Sequence, residues 1–371
     1  MNNNPVTNAV IGRRSFMKRL GLAGLMAAPV GAMLTSQPRA RAATAGPRLS
    51  AGDTAILRFL AAAELIETDL WTQYAELGGI VNNPPIEVDL SEQLNAYQTA
   101  LSNLDQDGPQ YITSNTLDEM SHAIFLNGFL ESRGADPVNF DEFRTLEGST
   151  ATGSTGIGRL TNLMQLNVDT SWFIRYRSAT NPDLGATFPQ AITLNNVTAI
   201  PITDDDLNDA NHIQVIANTA AFHFGAIEQG GSSLYAAMSQ KVRNAEVLEI
   251  TLGIGGDEIA HFLEWVDFAG NGVQPPVAPV TDPVSGLTFP NFFSPLNPLI
   301  QPSLIFPVPC EFISPSLPNV SIIRPLTDKF AGAVAAIAGL TASGLFIGQS
   351  DQFLDELHAL AEAADRASRD A

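Results

Sequence analysis

Cysteine is almost missing from this chain. Cys310 stands alone, so no internal disulfide can form, and its proline-rich setting, Pro-Val-Pro-Cys-Glu-Phe, offers no partner for a thiolate site; the residue reads as structural. Bases are scarce as well: 19 Lys and Arg face 39 Asp and Glu. Six of those bases (Arg13, Arg14, Lys18, Arg19, Arg39, Arg41) fall in the first 42 residues, which hold no acid, leaving 13 bases against 39 acids and a net charge of −26 beyond them. A surface of that sign repels nucleic acid and anionic lipid, so neither is expected as a partner. It attracts cations, although a solvated acidic face is the commoner cause of such a count. Long apolar runs are the third absence. Past residue 42 no uninterrupted apolar stretch reaches the about 18 residues that a spanning helix needs, so no stable membrane anchor is expected. What remains, 371 residues with 45% hydrophobic content, suffices for a buried core in one large domain or two ordinary ones.

The basic start has its own reading. Residues 12–18, Gly-Arg-Arg-Ser-Phe-Met-Lys, precede the apolar run Leu20 to Leu34 and the small-residue site Ala40-Arg41-Ala42. Charged, apolar and A-x-A segments in that order make a cleavable signal, and the paired arginines are similar to the twin-arginine pattern. Residues 1–42 are therefore expected to be a signal peptide, cut after Ala42, that engages the twin-arginine export machinery and sends the protein to the periplasm or outside the cell. That route carries folded cargo, which fits a metal site loaded before export.

Four long helices are expected in the remainder, which reads as mainly α. The first runs from Asp53, taken as its N-cap, to Gly78, with Leu57, Leu60, Glu64, Glu67, Trp71 and Tyr74 following one another at steps of three and four. Two glutamates thus stand on an apolar stripe, where a carboxylate is costly unless paired or bound to a cation. A short helix over 91–104 precedes the second long one, which starts near Asp107-Gly108-Pro109 and ends near Arg133. Residues 135–204, rich in Gly, Thr, Ser, Asn and Pro, form a long connection with a helix expected at 157–168 and strands near 172–177 and 191–200. The third long helix opens on Asp204-Asp205-Asp206 and runs to about Gln240, with Glu228 central on its stripe. The fourth, 244–270, holds Glu258 and His261. Mid-helix glycines, Gly230 and Gly231 in the third and Gly253, Gly255 and Gly256 in the fourth, point to close backbone packing, with a π-bulge as the other cause. Residues 271–328 are too proline-dense to be helical and read as a strap, or else as a partner-binding surface. A last helical segment covers 329–371.

The chemistry-bearing signal is a repeated spacing. Glu119 with His122, and Glu258 with His261, stand three apart, which puts each pair on one helix face. With five His and seventeen Glu in the chain, chance would give that spacing about 0.2 times, so two occurrences are informative for a short motif. Asp209/His212 and Asp355/His358 share the spacing with a shorter acid near helix ends and read as capping or surface pairs. His223, five residues before Glu228, reads as an ordinary packed or capping histidine. Two Glu-x-x-His helices with a carboxylate on each of two others are the ligand set of a dinuclear site in a four-helix bundle.

The segments ELIETDLW, EMSHAIFL, EQGGSSLY and GDEIAHFLEW, one per long helix, resemble the ligand helices of the ferritin-like superfamily, and the exported, desiccation-related branch is the most similar. The resemblance covers about Asp53 to Ala269. It implies a ferritin-like four-helix bundle over 43–270 with an insertion at 135–204. It further implies a metal set of Glu67, Glu119, His122, Glu228, Glu258 and His261, with Glu119 and Glu258 bridging. Glu67 is set ahead of Glu64, its alternative, because Tyr74 lies seven residues on, as a tyrosine commonly does in ferritins. Two metal ions are implied, iron first and manganese next, with zinc admissible by ligand type. The function implied is oxidase, peroxidase-like or metal-sequestering chemistry in stress, or else a scaffold for binding or desiccation protection without metal-dependent catalysis. A homo-oligomer is compatible with the resemblance. A 24-subunit storage shell is not favoured, given the long insertion, the strap and the export signal.

Overall fold

Ser50 starts the first long helix. Its hydroxyl oxygen accepts from Asp53 N at 3.0 Å and caps α1, Ala51–Gly78. Asp53, expected as the cap, is buried in the first turn, where its carboxylate accepts from the backbone N–H of Arg243 at 2.9 Å. The computed structural model describes residues 48–80, 94–175, 189–273, 277–292, 314, 316–321 and 332–369. The signal segment, Cys310 and most of the strap lie outside them. Helix α2, Ala96–Leu104, begins with a reciprocal cap between Asn95 and Gln98. Helix α3, Gly108–Ser132, has Pro109 in its first turn, where the missing N–H costs nothing.

The connection after α3 holds few regular elements. Strand β1, Leu166–Val168, pairs antiparallel with β2, Leu194–Val197, and the short helix α4, Ser171–Arg175, lies between them in sequence. Residues 157–165, expected as helix, are irregular and form a single bridge, Leu146 with Arg159. Leu160, Leu163 and Leu166 are all fully buried, and their step of three imitates a helical stripe. The backbone N–H groups of Leu160 and Thr161 go instead to Asp69 of α1, at 3.0 and 2.9 Å. Burial raises the pKa of Asp69, and Arg144, whose Nη1 donates to it at 2.6 Å, opposes that shift. The strand expected at 172–177 is α4, as far as Arg175.

The acids 204–206 open a separate 3₁₀ turn, Asp204–Leu207, and not the third long helix. That helix, α5, is Ala210–Ser239, capped by Asp209 through the N–H groups of Asn211 and His212. Helix α6, Ala245–Gly272, is capped by Asn244. The described part of the proline-rich segment holds a hairpin, β3 (Val280–Thr281) with β4 (Thr288–Phe289). Where one C-terminal helical segment is expected, two helices stand, α7, Ala333–Ala342, and α8, Asp351–Asp365. Between them Gly344 and Gly348 take φ of 84 and 91°, a left-handed conformation that glycine adopts without strain. Helix α3 packs mainly on α1, α6 mainly on α5, and α8 also on α1. The described residues within 48–79 and from 94 onward form one compact unit. Among the described residues no helix is long and apolar enough to cross a membrane.

Two contacts pin peripheral elements to α5. Trp172 of α4 is fully buried and donates its Nε1–H to Phe222 O at 3.1 Å; its ring lies so near Gly225 that a Cβ there would overlap it. Gly225→Ala is therefore expected to destabilise the fold by about 2 kcal/mol through overpacking, against the usual helix preference for alanine. Denaturant unfolding checks this, and an unchanged midpoint would show the ring free to move. On the hairpin side, His212 Nδ1 lies 2.7 Å from Asp282 and Nε2 lies 3.2 Å from Asp206. Burial opposes charge on His212, but the two carboxylates outweigh it and raise its pKa above 6.5. The stabilisation is full below pH 6.5 and is lost as pH rises through the raised value. His212→Asn should cost about 1 kcal/mol at pH 6 and less at pH 9, read from unfolding at both pH values. An equal loss at both would contradict the assignment.

Candidate metal centre

Each of the four long helices sends one glutamate into the core. Glu64 of α1, Glu119 of α3, Glu228 of α5 and Glu258 of α6 are at most 1% exposed. The three-residue spacing in α3 and α6 brings His122 and His261 to the same place. The six residues form two groups whose ligand atoms lie within 4.8 Å of one another: Glu64, Glu119, His122 and Glu258; and Glu119, Glu228, Glu258 and His261. Glu119 and Glu258 belong to both. His122 Nδ1 stands 3.4 Å from Glu64, 3.3 Å from Glu119 and 3.8 Å from Glu258. His261 Nδ1 stands 3.1 Å from Glu119 and 3.3 Å from Glu228, and neither approach has hydrogen-bond geometry.

Crowding of like charge governs the electrostatics. Burial first, and then repulsion from neighbouring carboxylates, Glu119 foremost, raises Glu64 to about 7 and holds Glu258 well above the usual carboxylate range. Burial opposes charge on both imidazoles, yet their carboxylate partners prevail: His122 is pushed up to about 12, and His261 is also raised.

A further ring of residues fixes the six. His122 Nε2 lies 3.2 Å from Asp257, and His261 Nε2 lies 3.4 Å from Asp118, so each imidazole is held by an aspartate of the opposite helix with Nδ1 turned inward. Asn115 donates to Glu119 at 2.8 Å and to Glu228 at 3.2 Å, and its oxygen accepts from Trp265 Nε1 at 2.8 Å. Tyr235 donates to Glu64. Trp265 stacks on Trp71 with ring centroids 5.3 Å apart, and Phe224 lies 4.6 Å from Trp265, walling off one side.

Polar satisfaction decides what this cluster fits. Both oxygens of Glu258, one oxygen each of Glu64 and Glu228, and Nδ1 of His261 are buried without a hydrogen-bond partner. Buried polar atoms are rarely left so, and here they converge from both groups. Gly231 faces them at a point where a Cβ would strike the Glu258 carboxylate. Four carboxylates with two inward imidazole nitrogens match hard or borderline divalent cations, and each group can hold a metal ion.

Of the sequence candidates, Glu119, His122, Glu228, Glu258 and His261 come together. From α1 it is Glu64 that joins them; Glu67, set ahead of it on the tyrosine spacing, belongs to neither group and lines a neighbouring cavity. Three residues along a helix is a turn of about 60°, enough to carry one glutamate off the centre, and Tyr74 instead bonds His223. Asp209 caps α5, and His358 is exposed. Close packing explains Gly231 and Gly255, the latter against Tyr235, whereas Gly230, Gly253 and Gly256 face open space. Both helices are α-helical throughout, without a π-bulge. Missed from sequence were Asn115, Asp118, Tyr235 and Asp257. A signal existed for two of them, since both motifs read Asp-Glu-x-x-His. No family model matches the chain, and no curated protein or solved structure matches it with significance.

Asp118 and Asp257 are about half exposed, so asparagine there should leave the fold intact. Asp118→Asn and Asp257→Asn are each expected to weaken metal affinity by roughly 10- to 100-fold by freeing one imidazole. Chelator-competition titration would measure it, and unaltered affinity would remove these residues as positioning groups.

Proposed function

We propose that this chain is an exported ferritin-like protein that holds two metal ions, iron by preference and manganese next, and performs oxidase or peroxidase-like chemistry in stress. The supporting observation is the pair of four-residue groups sharing Glu119 and Glu258. Two divalent cations would balance four carboxylates, with both imidazoles neutral and Nδ1 free to bind. Bound there, such a pair supplies the electron transfer needed to reduce dioxygen or peroxide. The chain's own residues do the rest. Asp257 and Asp118 hold the imidazoles in place, Asn115 restrains Glu119 and Glu228, and the Trp71, Phe224 and Trp265 wall keeps water from one side. The exported location rests on the signal-like sequence at residues 12–42. The desiccation-related assignment rests on the family resemblance.

Protein folded in iron- or manganese-containing medium is expected to carry about two metal ions per chain by elemental mass spectrometry, and the double variant Glu119→Ala with Glu258→Ala fewer than a tenth of that. Wild-type content well below one per chain would end the proposal.

A further inference from the structure

Beside the centre, between α1 and α5, lies a cavity of about 220 Å³, to which α7 adds a further wall. Phe59, Ile66, Leu70, Ile227, Leu234 and Leu340 make it mostly apolar. Glu67, His223 and Gly231 also line it. Gly231 is the partition with the centre, because its missing side chain leaves room for the Glu258 carboxylate on the other face.

His223 gives the cavity its chemistry. It is 1% exposed, and burial lowers its pKa to about 3, so the ring is neutral. Nδ1 lies 2.7 Å from the Tyr74 hydroxyl. A phenol is the better donor and an imidazole nitrogen the better acceptor, so Tyr74 donates and the ring proton sits on Nε2. That Nε2 is buried with no hydrogen-bond partner. A lone buried donor is costly unless something accepts from it, and the ring that carries this one lines the cavity.

We infer that the cavity binds a small uncharged molecule, such as a simple phenol, with an apolar body and one oxygen that accepts from His223 Nε2–H. Size follows from volume: an apolar cavity of about 150 Å³ takes benzene, so this one takes roughly nine heavy atoms. Charge follows from the surroundings. An anion would face Glu67, Asp169 and the carboxylates behind Gly231, and the His223 Nε2–H donor calls for a neutral oxygen in place of a cation. As a substrate chamber for the centre, the cavity rests on the proposed function; as a binding site it does not.

The test uses the full chain free of metal, titrated by calorimetry with 4-ethylphenol and with ethylbenzene, which lacks the oxygen. Wild-type protein is expected to bind both, the phenol about tenfold more tightly. His223→Phe should bind the two equally, its retained ethylbenzene binding reporting an intact cavity, and His223→Gln should restore the preference. Leu340→Trp, on the partly exposed face of α7, should fill the cavity and lose both ligands. No binding to wild type, an undiminished phenol preference in His223→Phe, or undiminished binding in Leu340→Trp would each overturn the inference. Metal content is read separately on the same preparations, so failure of ligand binding and failure of metal loading are distinct results.

Discussion

Four carboxylates in one dry helical core dictate most of what surrounds them. At about 4 Å and an effective dielectric near 20, a pair of like charges costs about 4 kcal/mol, comparable with the whole stability of many domains, about 5–15 kcal/mol. Glu64, Glu119, Glu228 and Glu258 therefore cannot all stay ionised without counter-charge. The chain answers with proton retention on Glu64 and Glu258, with two imidazoles whose pKa values are raised, and with donors from Asn115 and Tyr235. These answers are incomplete, since five buried atoms stay unpaired at the centre of the cluster. A core built only for stability would replace such a group with apolar side chains at no loss. Its retention is the physical case for cation binding.

The same constraint orients the helices. Helix α3 packs mainly on α1 and α6 mainly on α5, so the site spans two helix pairs. The crossed contacts, Asp257 to His122 and Asp118 to His261, run between α3 and α6 and set both Nδ1 atoms inward. Each motif thus supplies a ligand pair for the interior and an anchor for the other motif's histidine. The aromatic wall completes the arrangement, because Trp265 touches Asn115 through its N–H and Trp71 through its ring.

Legibility in the sequence followed how local each signal was. The four long helices were readable from period, although the starts expected at Asp53 and at residues 204–206 lie instead at Ser50 and Asp209, and the Glu-x-x-His pairs were readable from spacing, since both signals are decided within one or two turns. Glu64 against Glu67 was not decidable in that way: the two share a stripe, and the choice depends on Tyr235 and His122 arriving from other helices. Asp118 and Asp257 look like surface acids in sequence, and their exposure is in fact about half; only the partner helix gives them work. Residues 157–168 misled for a tertiary reason. Their leucines keep a helical step, but Asp69 takes the backbone N–H groups that a helix would use.

Two of the five mid-helix glycines of α5 and α6 are explained by the same cluster. Each glycine costs about 1 kcal/mol relative to alanine in a helix interior, and three of the five sit against open space with no packing reason. The other two act as spacers for the site. Gly255 lets Tyr235 lie close enough for its hydroxyl to reach Glu64, and Gly231 leaves the volume that the Glu258 carboxylate fills. A methyl group at either position would push α5 and α6 apart and displace an acid from the centre. The helix separation that admits the carboxylates is therefore set from the backbone outward.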